Sequence, residues 1–435
     1  MGSSRSSLLL ILAAATLFLP ACCKHDPRPS IPSEIPSAAE PVPEATPPRC
    51  VQLGKDVLVG PATKADDDQD FLPFAAEIGQ GVAYDDGFAI AALSKEGQGT
   101  ASVVALVSSD GSKSRIIKLA ESHGDAEPPK VFALGKTVGA GALEPSGTKR
   151  SLRLARVDGE SVAWGAEFLQ GNDESLAFDV ALQDKRGVAV WDDLPKDREV
   201  SGIYLATFDA STFASPTPPR VMTLPGTDGD NPRLVSRPGG FWLFWVARRP
   251  ESSDFDARYR AEDLSYKWLE VMPLDDRGVQ SGAPRRISSD SGHVLVYDVT
   301  EGRDGSALVM WRDDDTPSGS AGGRLMRALV RLGGVDGPDV IDDPNLGPGA
   351  PNVMPGWLAV ADAASPTRIA PIASDGSFVD QLASEPLMGN GEPVAAKGDV
   401  LLVSRPSGLA VKLLVAKCTR EVRDAGVDAN RGDAD

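Results

Sequence analysis

The feature that most constrains this chain is a unit that recurs from about residue 70 to 418: an apolar strand, an Asp/Gly turn, and a second short strand. VVALVSSDG ends at Gly111, LRLARVDG at Gly159, IYLATFDA at Ala210, WLEVMPLDDRG at Gly278, RALVRLGGVDG at Gly337 and RIAPIASDG at Gly376. Asp-Gly at a hairpin tip supplies the positive φ values that a tight turn needs. A further apolar strand precedes most of these hairpins: GFAIAAL (87–93), GVAVW (187–191), FWLFW (241–245), SALVMW (306–311) and GWLAVA (356–361). Three of these strands place a tryptophan at the same point, Trp191, Trp245 and Trp311. No sustained 3.6-residue periodicity interrupts the pattern, so long amphipathic helices are excluded.

Self-similar four-stranded units of this length predict an all-β fold, a β-propeller whose blades surround a central channel. The rival, a pair of β-sandwiches, fits the repeat count poorly. Six complete units are expected at 71–120, 121–169, 170–226, 227–288, 289–347 and 348–385. A seventh starts at residue 392 and stops at Cys418, one strand short. An unpaired edge is an aggregation hazard, and residues 50–59, RCVQLGKDVLV less its first arginine, form a lone strand with no unit of their own. These observations predict a seven-bladed propeller over 50–418, closed by the amino-terminal strand. In an antiparallel pair the end of the third strand lies beside the start of the fourth, so Cys50 is expected against Cys418 as a disulfide. The conserved geometry of such a ring makes each repeated tryptophan a packing wedge between blades.

The amino end carries an address. Residues 1–21 hold one charge, Arg5, and an apolar core from Leu8 to Leu19, too short to cross a bilayer, which needs roughly 20 residues. Leu19-Pro20-Ala21-Cys22 resembles the bacterial lipobox. The resemblance implies diacylglycerol on the thiol of Cys22, cleavage after Ala21, acylation of the new amino group, and hence a membrane anchor. The residue after Cys22 is Cys23 rather than Asp, which by lipoprotein sorting logic favours the outer membrane of a two-membrane cell envelope. A linker completes residues 22–49, with eight prolines in the 26 residues 24–49. Such a segment is extended and buries no core; at about 3.1 Å per residue it reaches roughly 80 Å. Residues 419–435 form an acidic tail expected to be disordered, and its Arg431-Gly432-Asp433 is a chance tripeptide.

Composition excludes some partners. The formal charge is −18, and −19 once residues 1–21 with their single Arg5 are removed. That balance argues against nucleic acid and against direct docking on anionic lipid. The three histidines, His25, His123 and His293, have no His or Cys neighbours at ligand spacing, so no metal site is expected from them. No nucleophile elbow, phosphate-binding glycine loop or zincin motif occurs, and no catalytic residue is assigned. LARVDGESVAW (154–164) resembles one quinoprotein-type propeller repeat and SSDSGHVL (288–295) resembles the sialidase Asp-box; each occurs once and implies no cofactor.

Loops offer the one topological clue. The connections between strands two and three share a face with the blade-to-blade connections, and three neighbouring units lengthen them: 192–202, 247–267 and 312–324. Loops on a rigid scaffold carry binding. Arg248, Arg249, Tyr259, Arg260 and Arg312 are the candidates for contacts to an anionic or planar partner. Asp192, Asp193, Asp313, Asp314 and Asp315 are candidate oxygen ligands for Ca2+. The expected function is a membrane-anchored envelope lipoprotein whose propeller binds a protein or polysaccharide partner. Two alternatives stand beside it: a carbohydrate-active hydrolase or lyase with carboxylates at the channel mouth, and an envelope-assembly scaffold.

Overall fold

Short strands joined by glycine-rich turns pair with their immediate neighbours, and seven four-stranded antiparallel sheets result. The computed structural model describes residues 48–60 and 77–419, except 97–98, 123–127, 147–148, 172–176, 195–199, 215, 225–226, 249–265, 316–322, 342–345, 348, 363–364, 374–384, 387–390 and 409. Cys22, the linker up to residue 47, the tail, Arg249, Tyr259 and Arg260 lie outside the described residues. Six blades follow the chain, spanning 77–122, 130–171, 178–221, 228–286, 294–340 and 350–386. The seventh takes three strands from 392–419 and its fourth from Arg49–Val59.

The ring closes twice over. The first strand of each blade touches the first strand of the next, and that of blade seven returns to blade one. The strand Arg49–Val59 pairs with Ala410–Thr419 in a register that sets Cys50 against Cys418, and the two form a disulfide. A bulge between Leu53 and Val57 interrupts this pairing. There Gly54 passes Gly111 of the blade-one turn so closely that a Cβ would sit 2.4 Å from the Gly111 carbonyl oxygen. Both glycines have positive φ.

Packing is between blades. One buried cluster joins Leu152 and Leu154 of blade two to Trp191 and Phe208 of blade three. Another joins Val190 and Leu205 of blade three to Trp245 of blade four, and a third joins Phe244 of blade four to Trp311 of blade five. The repeated tryptophans are therefore wedges, each buried against the preceding blade, as their spacing predicts.

One turn differs from expectation. In blade five the third strand, Arg324–Arg331, turns at Leu332-Gly333, and Asp336-Gly337 lies inside the fourth strand, Gly334–Val340, at a register shift. The tighter Leu-Gly connection starts the fourth strand earlier than the Asp-Gly signal suggests. Residues 288–293, in the Asp-box-like segment, form the connection from blade four to blade five. The Asp375-Gly376 turn lies outside the described residues.

Candidate functional site

Because strands alternate in direction, the ring has two faces: a connection face, with the blade-to-blade links and the strand two–three loops, and a turn face, with the remaining hairpins. Between them runs the channel, lined by the first strand of every blade. A cavity of about 390 Å³ lies in it, walled by the first five blades and by Gln80, Phe132, Asp179, Arg233, Asp298 and Glu301.

These charges arise within the first strands KVFAL, FDVALQ, DGDNPRLVSR and VLVYDVTE, the third of them largely polar and the others mainly apolar. Alternation along a strand turns successive side chains to opposite sides. Lys130 Nζ lies 3.7 Å from Asp179 Oδ1 and 5.6 Å from the centroid of the Phe178 ring. Asp179 is held from the next blade, since the Leu234 amide donates to its Oδ2 at 2.8 Å. Asp298 is held in the same way, its Oδ2 accepting from the Val353 amide at 2.7 Å. Beside it the Tyr297 hydroxyl donates to the Asn231 carbonyl at 2.6 Å. Asn231 sits at φ +51° on a bulge between Asp230 and Arg233, which aims Arg233 into the cavity.

Burial shifts these groups toward neutrality in both directions. It raises Asp298 to about 6 against the opposing pull of Arg233. It lowers Lys130 to about 8, with the Arg233 charge adding to the effect and Asp179 opposing it. Burial also raises Glu301. The channel wall thus carries a carboxyl group pushed up to about 6, and beside Asp179 an amine pushed down to about 8, with the Arg233 guanidinium facing the same cavity. Perturbed titratable groups in one cavity are the usual mark of proton-transfer chemistry.

Most of the described rim residues are engaged with the fold. Asp192 is buried, and its carboxylate accepts from the amides of Ala177 at 2.7 Å and Asn231 at 2.8 Å. Burial raises it to about 7. Asp193 is buried at the same strand end. Arg248 bonds Asp228 and lies 3.7 Å from Asp230. Arg312 grips buried Asp314, Nε to Oδ2 at 2.8 Å and Nη2 to Oδ1 at 2.9 Å. Asp313 accepts from the His293 amide at 2.9 Å, and the His293 ring stacks on Tyr266. Asp315 is exposed. Asp192, Asp313 and Asp314 therefore fasten loop ends, and no group of three metal-ligating side chains occurs among the described residues.

Lys130, Asp179, Arg233 and Asp298 were not anticipated. The available signal was a charge within a first strand, which only the channel position makes meaningful.

No protein-family model and no curated protein matches the sequence. Solved structures do resemble the fold. The polysaccharide lyase Uly1 superposes with a TM-score of 0.53 at 8% identity, over 84% of this chain and all of that one. The β-propeller domain of the Trilobed protease of Pyrococcus furiosus gives 0.47 at 10% identity, covering 80% of this chain and 96% of the other. An α-L-arabinanase of Penicillium chrysogenum gives 0.46 at 11%, covering 85% and 98%. At such identities the likeness is one of fold, and the chain is a seven-bladed β-propeller.

Proposed function

We propose that this propeller is a carbohydrate-active enzyme, a hydrolase or lyase, that cleaves a polysaccharide in its channel. One observation carries the reading: Asp298, raised to about 6, lies with Asp179 and Arg233 around one cavity, and Lys130, lowered to about 8, stands 3.7 Å from Asp179. Cleavage of a glycosidic bond needs a proton donor for the leaving oxygen and a second group as base or nucleophile. Asp298 is the donor in this reading. Asp179 or Lys130 is the partner, and Arg233 balances negative charge. The amides of Val353 and Leu234 orient the two carboxylates in advance. The polysaccharide lyase with the same fold makes the substrate class a natural one to test.

Asp298→Asn keeps the acceptor for Val353 and removes the transferable proton. Assayed on a panel of neutral and acidic glycans, it is expected to lose at least 100-fold in kcat while its circular dichroism stays unchanged. Wild-type protein that cleaves none of the panel sinks the enzymatic reading.

A second reading, a binding module for an envelope protein or polysaccharide, is favoured by the same two amide contacts, because a carboxylate clasping the next blade also serves the ring. Retained glycan affinity with no turnover in wild type selects it.

The same proposal places the chain in the cell envelope, anchored by lipid on Cys22 at the outer membrane and held away from it by the proline-rich linker. Cys22→Ser is expected to release the protein from membranes during cell fractionation; unchanged membrane association removes the anchor from the proposal.

A further inference from the structure

On the turn face, three blades fasten themselves to the next by an arginine. Arg220 of blade three donates to the Gly278 carbonyl in the blade-four hairpin at 2.8 Å. Arg285 of blade four donates to the Arg331 and Leu332 carbonyls in the blade-five hairpin at 2.8 and 2.5 Å. Both arginines pair across their sheet with the residue four before the turn aspartate: Leu205 before Asp209, and Val271 before Asp275. Blade two reaches blade three with Arg156, which donates to Ser211 O at 2.8 Å while Phe213 fills the gap.

Arg115 of blade one holds the equivalent place, paired with Leu106, four before Asp110. It is aimed at the blade-two hairpin, where a Cβ on Gly159 would lie 3.8 Å from its Nη1. Yet Arg115 makes no hydrogen bond or ion pair with any described residue. The reason is local. The Asp158-Gly159-Glu160-Ser161 turn is tight, and Ser161 Oγ already donates to the Asp158 carbonyl at 2.8 Å. The guanidinium is left facing a cleft of about 480 Å³ between blades one and two.

Two more cations face that cleft, Lys113 and Lys136, in a chain whose net charge is −18. Neither makes an ion pair with a described residue. Acidic groups do reach it, Asp86 and Asp158, so the balance is one positive charge. Its floor is apolar, Leu106, Val138 and Val157, with Tyr84 at the side. The walls are fixed, since the Asp85 amide donates to the Gly135 carbonyl across the two blades at 3.1 Å.

The geometry points to a second binding site here, for a carboxylate-bearing sugar ring of the uronate class. The apolar floor suits the C–H face of a pyranose, the hydroxyls and two carboxylates suit its hydroxyl groups, and Arg115 offers a two-pronged match to its carboxylate. A bare phosphate would be served by a cluster of backbone amides, but the nearby turn uses its amides on itself: Gly111 donates to Ser108 O, and Ser112 to Asp110 Oδ1. This site is on the opposite face from the long loops and stands independently of the channel chemistry.

Ligand-observed NMR titration of the full chain tests it, with D-glucuronate, D-glucose and inorganic phosphate as probes at low and high salt. Glucuronate is expected to bind at least tenfold more tightly than glucose or phosphate and to weaken with salt. Arg115→Ala and Lys136→Ala should each lose most of that binding, and Asp298→Asn should retain it. Arg115→Ala should also leave Tm unchanged, whereas Arg220→Ala and Arg285→Ala should lower it by a few degrees. Equal binding of glucose or phosphate overturns the assignment. So does glucuronate binding that survives Arg115→Ala, or that is lost in Asp298→Asn.

Discussion

Two buried aspartates and the partly buried Lys130 shape how this protein answers to pH. Asp298 and Asp192 are raised to about 6 and about 7, so the folded state binds protons more tightly than the unfolded chain. Their neutral forms are favoured by folding, and that advantage, complete below about pH 4, is lost as pH rises through 6 and 7. At about 1.4 kcal/mol per unit, the two together lower stability between pH 5 and 8 by at most about 4 kcal/mol. Lys130 is lowered to about 8, so its penalty is constant below that value and is relieved only as pH climbs beyond it. At the acid end the opposite sign applies. Hydrogen bonds within their turns hold Asp110 at about 2 and lower Asp209, and the stability these carboxylates add above pH 4 is lost as pH falls further. Thermal unfolding across pH 3–9 is thus expected to show a Tm maximum near pH 4–5. Asp298→Asn should flatten the decline on its alkaline side, and a slope unchanged by that substitution contradicts the assigned shift.

At the scale of the element, the blade is a meander that cannot bury itself alone, and tryptophan is the residue that joins it to its neighbour. Trp191, Trp245 and Trp311 are fully buried, and their indole N–H groups find no hydrogen-bond partner among the described residues. Trp242 and Trp357 lie at different points and donate to the Gly305 and Gly398 carbonyls of the following blade, each at 2.8 Å. Replacement by alanine at any of the first three should cost about 3–5 kcal/mol, because a large cavity is left. Phenylalanine separates the two groups. At 191, 245 and 311 it removes volume but no hydrogen bond, whereas Trp357→Phe also leaves a carbonyl unpaired, an added loss of about 1–2 kcal/mol. Chemical denaturation of the four phenylalanine variants reads this difference directly. The wedges were legible from sequence because a repeated aromatic at one point of a repeated strand has few other uses. The hydrogen bonds of Trp242 and Trp357 were not, since each acceptor belongs to another blade, 63 and 41 residues further on.

For the whole molecule, closure is the event on which the other contacts depend. The seventh blade borrows its fourth strand from the opposite end of the chain, and a disulfide across 368 residues holds it there. On the chain-entropy model a loop of that length contributes at most about 6 kcal/mol. For a domain of this size that is a fall in Tm of roughly 5–8 °C on reduction or in the Cys50→Ser/Cys418→Ser variant. Calorimetry with and without reductant checks it. A Tm insensitive to reductant would mean that strand pairing and the Lys397 contacts to the carbonyls of Tyr84 and Asp85, at 2.8 and 2.7 Å, suffice to close the ring. The blade limits and the Cys50–Cys418 pairing follow from local signals: alternation, turn residues, one strand left over at the amino end and one lacking at the other.

What the sequence by itself determined is the periodic part of this protein, its strands, its number of blades and the way its ends meet, because pleat and turn act over a few residues at a time. What only the tertiary structure decided is chemistry that no single blade contains. Lys130, Asp179, Arg233 and Asp298 come from four different blades, and the Arg115 cleft is recognised only by comparison with Arg220 and Arg285 and by the carbonyls they reach. Long-range proximity in a ring is set by the angle between blades, and nothing in the spacing of residues along the chain encodes that angle.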